Sequence, residues 1–328
     1  MLYLQFTFKK GVKISDILVT GAGGYVGSVL VPALIKKGHK VYALDTFWFG
    51  DHLPNNENLI KIKSDIRTIC ADDFPALDVI IHLAAIANDP SVDLEPSLSW
   101  EIGAIGTRNI CEIGKIKQIK LLILASSGSV YGVKDDPQVT ESLELIPISV
   151  YNKVKMVKER IVLSYDVDFK VVIYRPATIC GWSPRMRLDL AVNALTYGAL
   201  RDKKIIVYGG SQLRPQLHID DMVAAYIWAI ENESLAGIYN VGFENDSILN
   251  IAKKVKEVID ADIVVLPSND PRSYRLNSDK LLSTGFSPSK NSIDAINELQ
   301  KLFNEGMIKV NDSNYNMAWM KQILGNKS

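Results

Sequence analysis

Tyr151 and Lys155 stand four residues apart in a helical pattern, so their side chains share one face. An ammonium beside a phenol favours the phenolate and lowers a pKa that is otherwise about 10. A phenolate so placed takes the proton of a substrate hydroxyl, and in reverse the phenol returns it to an alkoxide. On a surface helix such a pair is usually just solvated, and its weight here comes from context. Ala125-Ser126-Ser127-Gly128-Ser129 follows an apolar strand, where an open α/β sheet builds its site. A serine hydroxyl there bonds the substrate oxygen and helps transfer the proton. Ser127 is the candidate; Ser126 and Ser129 read as turn or support residues. Hydrolysis by a nucleophilic Ser127 fits poorly, because the segment lacks a GxSxG elbow and His218 has no clear role as its base.

A second constellation supplies the partner for this chemistry. The strand Ile17-Leu18-Val19 runs into glycines at 21, 24 and 27, and the strand Val41-Tyr42-Ala43-Leu44 ends at Asp45. Strand, glycine turn, helix, strand and acid form the context a dinucleotide fingerprint needs. Gly21, Gly24, Tyr25, Val26 and Gly27 are expected at the pyrophosphate, which the free amides of the following helix attract. Asp45 should accept from the adenosine ribose hydroxyls. A 2′-phosphate would face its carboxylate, which favours NAD over NADP. Asp65 and Ile66 are expected at the adenine. Leu83, Ala84 and Ala85 let the cofactor lie close to the sheet, while His82 reads as a packed histidine. Together the two constellations point to hydride transfer with a nicotinamide cofactor.

The elements that must position these residues alternate. Strands are predicted at 17–20, 41–45, 59–62, 78–83, 120–126 and 170–175, with helices near 26–37, 91–116 and 149–165. This is the rhythm of a doubly wound parallel sheet of Rossmann type covered on both faces. After Pro176 the rhythm breaks. Helices near 188–200, 218–230, 247–261 and 292–305 and strands at 204–208 and 238–241 predict a smaller, interleaved α/β substrate domain. The division expected is 1–180 for the cofactor domain, with an extension at 1–15 and added segments near 215–245, and 181–328 mainly for the substrate. The last twenty residues are read as packing along the surface.

The chain has 328 residues and a formal net charge of zero, which gives no pull toward nucleic acid or an anionic membrane. Its three cysteines, Cys70, Cys111 and Cys180, include no CxxC pair, which suggests neither a disulfide scaffold nor structural zinc; no metal site is expected. No run approaches the ~20 apolar residues of a membrane span, and the lysines at the N-terminus follow its apolar stretch instead of preceding it. A cytoplasmic protein is expected.

With these residues in place the chain resembles an extended short-chain dehydrogenase/reductase of the nucleotide-sugar epimerase/dehydratase family, over about residues 16–290. The matching motifs are GAGGYVG at 21–27, Asp45, Asp65-Ile66, Leu83-Ala84-Ala85, SSGSVYG at 126–132, Tyr151-xxx-Lys155, Tyr174-Arg175-Pro176, HIDD at 218–221 and DPRSYR at 270–275. The resemblance implies that Ser127, Tyr151 and Lys155 form a catalytic triad, with Lys155 also on the nicotinamide ribose. It also implies that residues around 174–178, namely Tyr174, Pro176 and Thr178, meet the nicotinamide end. It implies oxidation of a hexose hydroxyl, usually at C4, followed by epimerisation, dehydration or release of the keto sugar. Two departures narrow this. Family dehydratases carry Thr-Asp-Glu where this chain has Ser127-Gly128-Ser129, which argues against 4,6-dehydration. Ala177 and Gly103 replace asparagines of the family.

The substrate expected is a nucleoside-diphosphate sugar. Arg185 and Arg187 in the segment after the sixth strand, with Arg214 and Arg272, are diphosphate candidates because a guanidinium fork suits phosphate oxygens. Asn88 and Asn193 are candidates for reading a sugar or phosphate group. The SPRMR and RPQLHIDD segments resemble a subgroup tied to bacterial surface-polysaccharide sugars, including GDP-linked heptoses. His218–Asp221 is expected to orient the link between the lobes. An epimerase leads; a dehydrogenase or reductase without inversion and a noncatalytic NAD-binding regulator are the alternatives. By the resemblance, helices at about 92–116 and 149–165 would pair two copies into a homodimer. Ile102, Ile105, Val154 and Val157 fit core or interface equally.

Overall fold

Apolar runs such as Leu121–Leu124 are hydrophobic at every position, so both faces of the strands they form need cover. In the computed structural model, which describes residues 14–134, 136–268 and 273–325, they receive it. The strands are β1 (Asp16–Thr20), β2 (Lys40–Asp45), β3 (Leu59–Lys63), β4 (Val79–His82), β5 (Leu121–Ala125), β6 (Lys170–Pro176), β7 (Thr178–Cys180), β8 (Lys204–Tyr208), β9 (Leu213–His218), β10 (Gly237–Val241), β11 (Glu244–Ser247) and β12 (Asp262–Leu266). Seven of them form one sheet in the order β10-β6-β5-β4-β1-β2-β3, every neighbouring pair parallel. The order reverses beside β1, which opens the crevice where such sheets bind ligands.

Alternate side chains feed two cores. Ile17, Val19 and Tyr174 pack with Leu30, Leu34, Met222 and Tyr226 from the helices Gly27–Lys36 and Ile219–Glu231. Leu18, Leu44, Ile80 and Ile173 pack on the other face with Ile110, Ile113 and Val162 from the helices Thr107–Ile116 and Val150–Leu163. Each such apolar side chain contributes about 1.5–3 kcal/mol when fully buried. Among the described residues no helix is long and apolar enough to cross a membrane.

The smaller C-terminal lobe holds a three-stranded sheet β11-β9-β7 and a parallel pair β12-β8. The strands β7, β9, β11 and β12 escaped the sequence reading. The predicted single helix at 91–116 is four pieces: Asp89–Val92, Pro96–Trp100, a wide π turn Glu101–Gly106, and Thr107–Ile116. Pro96 opens the second piece, since proline has no N–H to continue the first. The C-terminal residues are more than a surface strap. Asn316–Gly325 is a helix whose Met320 is buried in the second core.

Candidate active site

A cleft of about 820 Å³ runs along the C-terminal ends of the parallel strands and continues beneath the smaller lobe. One half is built around the glycine turn. Gly21 has φ +72°, and a Cβ there would stand 2.7 Å from the Ala84 nitrogen, so only glycine lets the turn meet the β4 loop. Gly21, Gly24, Tyr25, Val26 and Gly27 all line the cleft, as do Asp45, Asp65, Ile66, Leu83, Ala84 and Ala85. The Asp45 carboxylate accepts from the backbone N–H of Phe47 at 2.7 Å and of Gly23 at 2.9 Å. Burial still raises its pKa, against those bonds. Asp65 is ion-paired with Arg67 at 2.7 Å. His82 is the packed histidine expected, bonded to Thr20 at 2.7 Å and Thr107 at 3.0 Å and held neutral by burial.

At the middle of the cleft stand Ser127, Tyr151 and Lys155. Ser149 caps the helix that carries the pair, accepting from the N–H of Asn152 at 3.2 Å. Lys155 Nζ lies 5.7 Å from the Tyr151 ring centroid and donates to the Ala125 carbonyl at 2.9 Å. Burial pulls this lysine down to about 8. Tyr151 differs from expectation: desolvation pushes its phenol up, while a hydrogen bond with Ser127 works the other way. Burial outweighs that bond, and the charges of Asp89 and Arg187 act on the phenol in opposite directions. Ser127 Oγ sits 2.8 Å from Ser129 Oγ, which donates to Asn152 at 2.6 Å. Ser126 turns inward to Glu159, itself paired bidentately with Arg175 at 2.6 and 2.9 Å. Both partners of that pair are buried.

The far half is lined by Arg187, Arg214, Tyr208, Gln212 and Tyr274. Arg187 is paired with Asp189 at 2.9 Å, and Asn88 donates to the same carboxylate at 3.1 Å. Pro176 and Thr178 reach the cleft, but Tyr174 does not. Strand alternation turns Tyr174 into the core, where its hydroxyl donates to the Ala225 carbonyl at 2.8 Å. Asn193 is likewise withdrawn. It accepts from Gly181 N at 3.0 Å and donates to Tyr25 Oη at 3.1 Å and the Arg187 carbonyl at 2.9 Å, which makes it a clip between segments. Arg185 lies on the dinucleotide half, with its guanidinium over Phe49. Arg272 lies outside the described residues. His218 caps the Ile219–Glu231 helix, and Asp221 accepts from Ser289 and Lys290, tying the lobes together.

Several lining residues carried no sequence signal: Trp48 and Phe49, Asp89, and Asn316 and Met320 from the C-terminal helix. Asp89 directly follows Asn88, whose φ of +75° marks the turn, and its charge acts on Tyr151. Gly103 abuts Val154, so the position of a family asparagine is filled here from the helix bearing Tyr151.

Known proteins resemble this chain in sequence and in fold. A curated relative, an uncharacterized UDP-glucose epimerase of Bacillus subtilis strain 168, is 32% identical over 74% of this chain and 81% of its own length. UDP-glucuronic acid decarboxylase 1 of Xenopus tropicalis is 29% identical over 74% of this chain, which spans 60% of that protein. The crystal structure of a UDP-glucuronic acid 4-epimerase from Bacillus cereus, in complex with UDP-glucuronic acid and NAD, superimposes with a TM-score of 0.78 at 27% identity. It covers 88% of this chain and 99% of its own. A model of the NAD dependent epimerase/dehydratase family matches residues 17–242, and the cofactor it names, NAD, is the one the Asp45 geometry fits. On the glycine turn, the Ser127–Tyr151–Lys155 group and this match, the chain belongs to the NAD dependent epimerase/dehydratase family.

Proposed function

We propose that this chain oxidises and re-reduces a carbon of a nucleoside-diphosphate sugar, C4 of the hexose, and so inverts it. The observation that carries the reading is the single cleft joining the glycine turn, the Ser127–Tyr151–Lys155 group and Arg214. Ser127 orients the sugar hydroxyl and Tyr151 removes its proton. Lys155, fixed to the end of β5, holds the ribose next to that phenol. NAD, when bound, takes up and returns the hydride. Rotation of the keto sugar between the two transfers gives inversion; the chain must hold the diphosphate while leaving the sugar free to turn.

Gly21, Gly24, Tyr25, Val26 and Gly27 hold the dinucleotide pyrophosphate, Asp45 the ribose, Asp65 and Ile66 the adenine, and Leu83–Ala85, Pro176 and Thr178 the inner half. Asn88, Arg187 and Arg214 serve the substrate. The names of the relatives favour a uridine diphosphate sugar. Dehydration is disfavoured because Ser129 occupies the place of an acid and is spent on Asn152. We assign the cofactor to residues 1–180 with added segments near 215–245, and the substrate mainly to residues 181–328. We place the enzyme in the cytoplasm as a homodimer, with Ile105 facing the partner and Ile102 and Val154 kept in the core.

The test is mass spectrometry of UDP-, dTDP-, CDP- and GDP-sugars after incubation with the chain and NAD. A product of unchanged mass and altered configuration is expected. Loss of two mass units with NADH formed means a dehydrogenase, and loss of water overturns the argument from Ser129. In Tyr151→Phe, turnover should fall by about 10²–10⁴-fold with NAD still bound.

A further inference from the structure

Arg185 is 4% exposed and its guanidinium carbon lies 3.9 Å from the Phe49 ring centroid. Nη2 donates to Asn316 Oδ1 at 2.5 Å, whereas Nε and Nη1 are buried without a hydrogen-bond partner. A buried cation with unmade hydrogen bonds is costly, and burial with Arg187 nearby pulls this guanidinium down to about 9. Arg185 is one of the residues that line the cleft. The geometry asks for an anion that accepts two bonds, as a phosphate does.

The neighbours identify which phosphate. Arg185 N donates to Ser28 Oγ at 3.4 Å, and Ser183 Oγ donates to the Tyr25 carbonyl at 2.7 Å, so this loop is stitched to the start of the helix behind the glycine turn. Asp45 is among the charges acting on Arg185. The C-terminal helix then closes the arrangement. Asn316, its first residue, donates to the Ala87 carbonyl at 3.3 Å and from its backbone to Asp189 at 3.2 Å. Trp319 Nε1 donates to the Trp48 carbonyl at 2.6 Å, on the segment that carries Phe49.

We propose that Arg185 takes the pyrophosphate of the dinucleotide cofactor, not that of the sugar nucleotide, and that the C-terminal helix is the clasp holding Arg185 and the Trp48–Phe49 wall over it. The proposal rests on the reading of the cleft as an NAD site. Two of the three side-chain nitrogens of Arg185 are left for the cofactor, and the third is fixed by Asn316.

The test uses the full chain freed of nucleotide, with NAD and UDP affinities measured separately by calorimetry and NAD release followed after rapid gel filtration. Arg185→Gln should weaken NAD by about tenfold to a hundredfold, the value of a charge-assisted pair, with UDP unchanged. Arg185→Lys should recover little of this, because an ammonium lacks the fork. Trp319→Phe, which keeps Arg185 and most of the packing, should release NAD faster. Arg214→Gln should do the reverse of Arg185→Gln, weakening UDP alone. Unchanged NAD affinity in Arg185→Gln, or a loss confined to UDP, overturns the proposal. A wild-type chain that binds no NAD overturns the functional reading along with it, whereas intact NAD binding with wild-type-like Arg185 and Trp319 variants overturns the clasp alone.

Discussion

Lys155 and Lys158 stand one turn apart on one helix, and each donates to a carbonyl at the C-terminal end of a neighbouring strand: Lys155 to Ala125 at 2.9 Å, Lys158 to Ala84 at 2.7 Å. The two lysines thus tie the end of β5 and the Ala84 loop of the cleft to the same helix.

Their burial has a consequence for pH. Lys155 is pulled down to about 8 and Lys158 well below its ordinary value, both by desolvation first. The unfolded chain, with ordinary lysines near 10.4, therefore binds more protons above pH 8, and stability must rise with pH from about 8 toward 10. Buried tyrosines such as Tyr226, whose pKa is raised by burial, reverse the slope above about pH 10, where only the unfolded chain ionises them. Melting temperatures between pH 7 and 11 should pass through a maximum, and Lys158→Met should flatten the rising limb. A melting temperature that falls steadily from pH 8 contradicts this.

Gly103 offers a second check. A Cβ there would stand 2.1 Å from Val154 Cγ1. Gly103→Asn should therefore destabilise the chain by about 1–3 kcal/mol through overpacking and push the helix that holds Tyr151. Val154→Ala in the same chain removes the clashing methyl and should recover part of the loss, read as non-additivity in urea unfolding. Strict additivity would show that the two residues do not meet.

The buried Arg175–Glu159 pair, joined by Ser126 and by Tyr131 at 2.8 Å from Arg175, braces β6 against the helix that carries Tyr151 and Lys155. Glu159→Ala leaves a buried guanidinium uncompensated and should cost about 3–5 kcal/mol. Glu159→Met with Arg175→Met should be markedly less damaging than the single change. Equal losses in both chains would argue that the pair stabilises the fold outright.

Ile105 is 58% exposed on the outer side of the Glu101–Gly106 turn, and Ile116 is exposed further along the same helical run. If two copies join there, Ile105→Glu should yield a monomer in light scattering while leaving the melt of the monomer within about 0.5 kcal/mol of wild type, as surface changes usually do. A wild-type chain that is already monomeric would remove this interface.

The parallel sheet was legible because its strands are apolar on both faces and end at turn residues; β1, β2 and β5 needed no tertiary knowledge. The strand β9, reading Leu-Arg-Pro-Gln-Leu-His, carries no such signal. It becomes a strand because β7 and β11 flank it, which only the fold supplies. The glycine turn, Asp45 and the Ser127–Tyr151–Lys155 group were readable from spacing. Tyr174 and Asn193 were not, since a motif match says which residue is present but not which way β6 turns it, nor that Tyr25, Gly181 and Arg187 would claim every polar atom of an asparagine. The helix Asn316–Gly325 mixes polar and apolar residues without a strong stripe, and its burial depends on Trp48 and the second core waiting for it.

A single residue, Ala177, separates β6 in the large sheet from β7 in the small one, and only Gly242 and Phe243 separate β10 from β11. The two crossings lie side by side: Ala177 N donates to the Val241 carbonyl at 2.7 Å, and a Cβ on Gly242 would press on Ala177. A hinge needs residues free to absorb large changes of backbone angle, and this double rail has none to spare. The two lobes are therefore expected to move little against each other. Sugar entry and turnover must be accommodated by side chains and loops, so altering what the enzyme accepts is a problem of rebuilding the cleft wall and not of loosening a jaw.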